Sequence, residues 1–223
     1  MDLHLSPLEA DVQARLLFLK SDELLFQWND ATNNLQSKLI AYQDARIAFA
    51  KMDHDSGWLP NGVIRVGRNT RGAWVVYVAP PQIMSISTDR NETLTIPVPM
   101  SLFIGWAHRY YLFALKGKVF DVNSPVYCAP YPNVYDNGRI CWGSHKVSAV
   151  TPLNIRQTWN LFFSTTFNAH IASGKTKTHP DNALDLLREL STAKRKSFPA
   201  REFVKQAYSV NSCLENLLRL TEE

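Results

Sequence analysis

Asn133 stands eight residues before Cys141, and this pair carries most of the chemistry the chain can offer. A cysteine held in a constrained polar loop acts as a nucleophile through its thiolate. The run between the two reads Val134-Tyr135-Asp136-Asn137-Gly138-Arg139-Ile140, with Pro132-Asn133 as a turn at its start and Asp136-Asn137-Gly138 as a tight turn within it. If the segment doubles back, the Asn133 carboxamide folds over the sulfur. It could then donate to a tetrahedral oxyanion, a contribution of about 3 kcal/mol at comparable sites. Gly138 is expected to supply a positive φ, and Tyr135 to pack under the loop as an anchor. Arg139, His145 and Lys146 lie close in sequence, a cationic setting that favours a thiolate.

Strands and helices must hold that loop. Ala14–Leu19 and Glu23–Trp28 are apolar runs around a polar turn, so a hairpin is expected over 12–28. Leu35, Leu39, Tyr42, Phe49 and Met52 recur at helical spacing, which predicts an amphipathic helix over 31–52 with Asp30 or Thr32 as its cap. Residues 63–66 and 74–79 read as strands, as do 102–107 and 109–115, and Pro97 and Pro99 place 93–99 at an edge or strand end. Together they suggest an antiparallel meander. Residues 118–150 form a long loop rich in Pro, Asn, Gly and Tyr. Thr151-Pro152 is a helix start, with Ile155, Trp159, Phe162 and Thr166 on one face. Two more helices are expected, at about 181–195 and 200–220.

The chain has 223 residues, 45% apolar and 20% charged, with a net charge of +4. This is globular composition, and the charge is too mild to imply nucleic acid. Three cysteines without a CxxC pair suggest neither a disulfide framework nor a zinc site. No signal peptide or membrane span is visible, so a reducing cytoplasm is the expected location. Neither a metal nor a cofactor is expected in this subunit.

Cys128 and Cys213 sit in apolar runs and read as small core residues. Taken alone, Cys141 reads as readily the same way; its spacing to Asn133 matters once the whole loop is considered. His145 is a candidate base. His4, His54, His108, His170 and His179 show no metal-ligand spacing and are expected at the surface. Lys175, Lys177, Lys194, Arg195, Lys196, Arg201 and Lys205 make the C-terminal part basic, which reads as a solvated helix face or a docking surface for an acidic partner. Gly174-Lys175-Thr176 lacks the upstream glycine of a phosphate loop.

Tyr131-Pro132-Asn133-Val134-Tyr135, followed by Cys141, resembles the active-site stretch of ubiquitin-conjugating enzymes, in which a His-Pro-Asn tripeptide precedes the catalytic cysteine at the same spacing. More closely, Ala129-Pro130-Tyr131-Pro132-Asn133-Val134, Gly138-Arg139-Ile140-Cys141-Trp142-Gly143-Ser144 and Trp159-Asn160-Leu161-Phe162-Phe163-Ser164 resemble the bacterial branch of that family, prokaryotic conjugating-enzyme family D, as in protein B of the PRTRC plasmid systems. Pro99 to Phe103 and Tyr111–Leu115 add to the likeness, which spans roughly 60–170. The resemblance implies an α+β conjugating-enzyme-like fold with an N-terminal helix, a strand meander, a long active-site loop and C-terminal helices. The chain would be one domain over 1–223, with a hairpin addition at 12–28, a core at 31–170 and a helical extension at 175–223.

By the same resemblance, Cys141 would carry a ubiquitin-like protein as a thioester, and Asn133 would support the loop and the oxyanion. Tyr131, Pro132, Tyr135 and Gly138 would hold the loop. The partners would be a ubiquitin-like protein, an activating enzyme and a target lysine, with no membrane involved. Tyr131 replaces the family's His, which is mostly structural. Trp142-Gly143 replaces the usual Leu-Asp after the cysteine, and no acidic residue matches one that tunes the incoming lysine. Two other functions compete. One is an inactive conjugating-enzyme fold that only binds partners; the other is a cysteine hydrolase pairing Cys141 with a distant His, for which no protease signature is present.

Overall fold

The computed structural model describes residues 8, 11–20, 23–45 and 56–219, and three sheets organise them. Contacts divide the chain into two compact units, residues 1–57 and 58–223.

In the first unit β1 (Ala14–Phe18), β2 (Glu23–Asn29) and β3 (Leu35–Ala41) form an antiparallel sheet with β2 in the centre. The helix expected over 31–52 is therefore corrected. Residues 31–34 are a turn, 35–41 are strand, and 42–45 are helical, while 46–52 lie outside the described residues. The cause is a degeneracy of spacing: residues four apart share a face in a strand as well as in a helix, so Leu35 and Leu39 fit both. Asp30 then acts on the turn. Its carboxylate accepts from the Thr32 and Asn34 N–H groups, the Thr32 hydroxyl and the Gln36 amide. These bonds, the Thr32 hydroxyl's first, lower its pKa to about 2.

The second unit is built on β4 (Val63–Asn69), β5 (Gly72–Ala79), β6 (Gln82–Thr88), β7 (Thr93–Val98), β8 (Ser101–Trp106), β9 (Arg109–Leu115) and β10 (Pro125–Cys128). Helix α1 (Ile155–Ser164) and the short β11 (Thr166–Phe167) follow, then α2 (Ala183–Thr192), β12 (Lys205–Ser209) and α3 (Val210–Arg219). The main sheet runs β12-β10-β9-β8-β5-β4, every pair antiparallel. The meander is interrupted, however. The β6–β7 hairpin leaves this sheet and pairs with β11, which runs parallel to β6. β7, with Pro97, is an edge of that smaller sheet.

Period-two alternation gives the main sheet two apolar faces. Val75, Tyr77, Phe103 and Leu112 pack with Trp159, Phe162 and Phe163 of α1. Val76, Leu102, Ile104 and Phe113 pack with Val210, Cys213 and Leu214 of α3. Trp159 meets Phe103 edge-on at 5.5 Å and Phe163 at 4.8 Å. The start of α1 lies a turn beyond Thr151-Pro152, where Thr151 and Asn154 exchange backbone-to-side-chain bonds. Thr166 falls in β11 instead of on the helix. The helix expected over 200–220 is also corrected: a 3-10 turn at Ala200–Glu202 leads to β12, and only Val210–Arg219 is helical. The C-terminal region thus contributes a strand to the main sheet, because Lys205–Ser209 satisfies its backbone on β10.

Candidate functional site

The 133–141 segment folds into a small hairpin. Asn133 adopts φ 64°, a left-handed conformation that Asn tolerates better than most residues. The Cys141 N–H donates to the Asn133 carbonyl at 2.7 Å, Val134 bridges Ile140, and the Tyr135 N–H donates to the Arg139 carbonyl at 2.8 Å. Gly138 has φ 82°, and a Cβ there would lie 2.3 Å from the Phe113 ring, so both conformation and space demand glycine.

β9 anchors this hairpin. The Leu112 N–H donates to the Gly138 carbonyl and the Ile140 N–H to the Tyr110 carbonyl, both at 2.8 Å. Its other half pairs with β10 through Phe113 and Ala114. Inside, Tyr131 and Val134 are buried. Burial raises the Tyr131 phenol well above its ordinary pKa, and its hydroxyl has no hydrogen-bond partner among the described residues. Tyr131 thus packs as a core ring, edge-on to Phe163 at 5.4 Å. Pro132 is buried beside it. Trp142, next to the cysteine, meets Tyr110 and Phe162 edge-on at 5.8 and 6.2 Å.

Cys141 is half-buried and opens, with Asn133, into a cleft of about 290 Å³ whose far wall includes Thr166, Asn168 and His170. The Asn133 carboxamide does not lie over the sulfur as an idle donor: its Nδ2 donates to the Thr166 carbonyl at 3.0 Å. Tyr135 is a correction. Instead of packing beneath the loop it is 42% exposed. Its hydroxyl is on the side of Cys141, and the neighbouring cysteine raises the phenol's pKa. The Arg139 guanidinium lies 6.0 Å from the Tyr135 ring centre. His145 lines the same cleft. Its Nδ1 lies 3.1 Å from the Trp142 carbonyl, which can only accept, so Nδ1 carries the proton and Nε2 is the basic nitrogen. No carboxylate lines the cleft among the described residues.

Several residues that hold the site were not singled out for it by the sequence. Lys175, read as part of a solvated basic face, is 1% exposed, and its ammonium bonds the Asp136 carboxylate at 2.5 Å. Gln206 donates to the Asp136 carbonyl at 3.0 Å and to the Cys128 sulfur at 2.9 Å. The buried Glu202 accepts from the Thr178 N–H and hydroxyl, steadying the segment that presents Lys175. His170, expected merely at the surface, walls the cleft. The useful sign was the Gly174-Lys175-Thr176 run, whose lysine meets a carboxylate instead of a phosphate. Among the described residues no three His, Cys, Asp or Glu side chains are placed to hold a metal. No helix among them is long and apolar enough to cross a membrane.

A cysteine at the base of a tied-back hairpin, beside a left-handed asparagine, goes with a conjugating-enzyme-like protein, and comparison with known families gives that class directly. The model of prokaryotic E2 family D matches residues 35–206, well over half of the chain, which therefore belongs to that family. The match runs from β3 into β12, further in both directions than the resemblance over 60–170. No curated protein and no solved structure matches the chain.

Proposed function

We propose that this protein accepts a ubiquitin-like protein from an activating enzyme as a thioester on Cys141 and passes it to an amine of a target, within a bacterial ubiquitin-like conjugation system in the cytoplasm. The Cys141 thiolate attacks the incoming thioester carbonyl, and the activating enzyme's thiolate leaves. A target amine then attacks the Cys141 thioester, a tetrahedral oxyanion forms, the Cys141 thiolate departs, and the new amide nitrogen loses its proton to solvent or a nearby base. Asn133 holds the hairpin in its resting bond to Thr166. Turned toward the oxyanion, the same Nδ2 would stabilise charge that develops only in the transition state. Tyr135, exposed on the same hairpin, stands on the side from which the attacking group would enter.

The observation that carries this reading is the opening of Cys141 and Asn133 into one cleft, in a chain of this family. A partner-binding module without catalysis would need neither an accessible thiol nor the bond that ties it to Asn133. The test is to incubate the protein with its cognate activating enzyme and ubiquitin-like protein, plus ATP. A reductant-sensitive adduct that disappears in Cys141→Ala is expected. An adduct that persists in that variant would remove Cys141 from the role, and no adduct with the wild-type chain would favour the binding-module reading.

A further inference from the structure

A second cavity, of about 270 Å³, shares no lining residue with the Cys141 cleft. Arg109, Tyr111 and Phe113 line it at alternate positions of β9, so all three leave the same face of the sheet. Arg139 lines it too, and bridges Tyr111 across the strand pair. Arg109 and Arg139 are therefore diagonal neighbours, about 7 Å apart along the backbone in such pairs. Among the described residues neither guanidinium has a carboxylate partner, and no carboxylate lines the cavity. Asn137 and Asn216 add amide groups to the wall.

Two arginines with no carboxylate partner among the described residues, aromatic walls and a few amides are the makings of a ligand site. Arginine forks match the oxygens of a carboxylate or phosphate, while Tyr111 and Phe113 supply an apolar bed. The volume suits one ring and one acid group, not a larger cofactor. We propose that this cavity binds a small molecule joining a planar ring to a carboxylate or phosphate, the acid group held by Arg109 and Arg139 and the ring laid against Tyr111 and Phe113. The site has a route to the cysteine. Arg139 also lies 6.0 Å from the Tyr135 ring centre, and its carbonyl accepts from the Tyr135 N–H in the hairpin that closes at Cys141. An anion that draws Arg139 into the cavity takes it off that ring, so occupancy changes the setting of the thiol. None of this depends on what Cys141 carries.

Calorimetric titration of the full chain with phenyl phosphate, benzoate, inorganic phosphate and phenol tests the site. Phenyl phosphate or benzoate is expected to bind saturably with Kd on the order of 0.1–1 mM, about tenfold tighter than inorganic phosphate or phenol. Arg109→Ala and Arg139→Ala should each weaken binding about tenfold, as loss of a charged hydrogen bond does. Asn216→Phe keeps both arginines but fills the cavity and should abolish binding, with circular dichroism confirming that each variant is folded. The bound ligand should also shift the alkylation rate of Cys141. Binding that survives Asn216→Phe or the loss of both arginines, or inorganic phosphate binding as tightly as phenyl phosphate, overturns the site.

Discussion

The backbone N–H of Cys141 donates to the carbonyl of Asn133 at 2.7 Å, so the candidate nucleophile and its amide neighbour close one hairpin. The two roles of Asn133, its left-handed backbone and its carboxamide, can be separated. Asn133→Gly keeps the backbone and loses the amide. It should leave thioester formation near wild type but slow discharge to an amine by about 100-fold, the range for losing one oxyanion donor. Asn133→Ala loses both and should cost a further 1–2 kcal/mol or so of stability, because a Cβ disfavours this φ. Single-turnover discharge and thermal unfolding distinguish the two. Equal discharge rates in wild type and Asn133→Gly would remove the carboxamide from catalysis.

The three thiols should react in a fixed order. Cys141 opens into a cleft. Burial raises the Cys128 thiol, an effect that Lys175 and Gln206 only partly oppose. Burial pushes Cys213 up to about 12, which leaves roughly one thiolate in ten thousand at pH 8. Iodoacetamide followed by peptide mass spectrometry should find Cys141 modified first, Cys128 later and Cys213 only on unfolding. A native protein alkylated first at Cys128 would mean that Cys141 is closed off in solution.

The Lys175–Asp136 pair is lopsided, with 1% of one side chain and 92% of the other exposed, and truncation should show it. Lys175→Met leaves Asp136 solvated and should change stability little, since hydrophobic replacement of a buried charge is often neutral. Asp136→Ala strands a buried ammonium and should cost about 1–3 kcal/mol. Both variants free the turn beside Cys141, so both should slow thioester formation whatever they do to stability. Chemical denaturation and a loading assay give the two readouts. Equal stability losses would show that Lys175 is hydrated in solution.

Glu202 sets a pH dependence. Burial alone would raise its pKa, but the Thr178 N–H and hydroxyl and the Arg201 guanidinium outweigh it and hold the carboxyl below its ordinary value. With the folded pKa depressed, the unfolded chain binds the proton more readily. The stabilisation is therefore complete above the ordinary glutamate pKa of about 4.3 and is lost as pH falls through the lowered value. Glu202→Gln should flatten the stability-against-pH curve in that acid window. Midpoints of urea unfolding from pH 6 downward check it, and an unchanged slope would refute the assignment.

Legibility followed the range of the interactions. Strands such as Trp74–Ala79 and the Leu102/Leu112 hairpin are short continuous apolar runs, buried on both faces, bounded by turn residues and paired with near neighbours in sequence, so they could be read directly. The Asn133–Cys141 turn is just as local, because Gly138 and an asparagine able to adopt positive φ suffice to close it. Leu35–Leu39 misled because a four-residue interval serves both periods, and β2 decided between them. Residues 205–209 misled because a strand needing a partner some 80 positions earlier leaves no mark in its own window.

By itself, then, the amino-acid order determined that a short turn would bring an asparagine and a cysteine together, and the motif around them pointed to the family. Only the tertiary structure decided that Lys175, Gln206 and Glu202 brace that turn from behind, that Tyr135 is exposed instead of buried beneath it, and that Arg109 and Arg139 share a cavity. The physical reason is distance along the chain. Backbone conformation and face periodicity are set by adjacent residues, whereas burial of a charge or convergence of two arginines depends on which distant strands come to lie side by side.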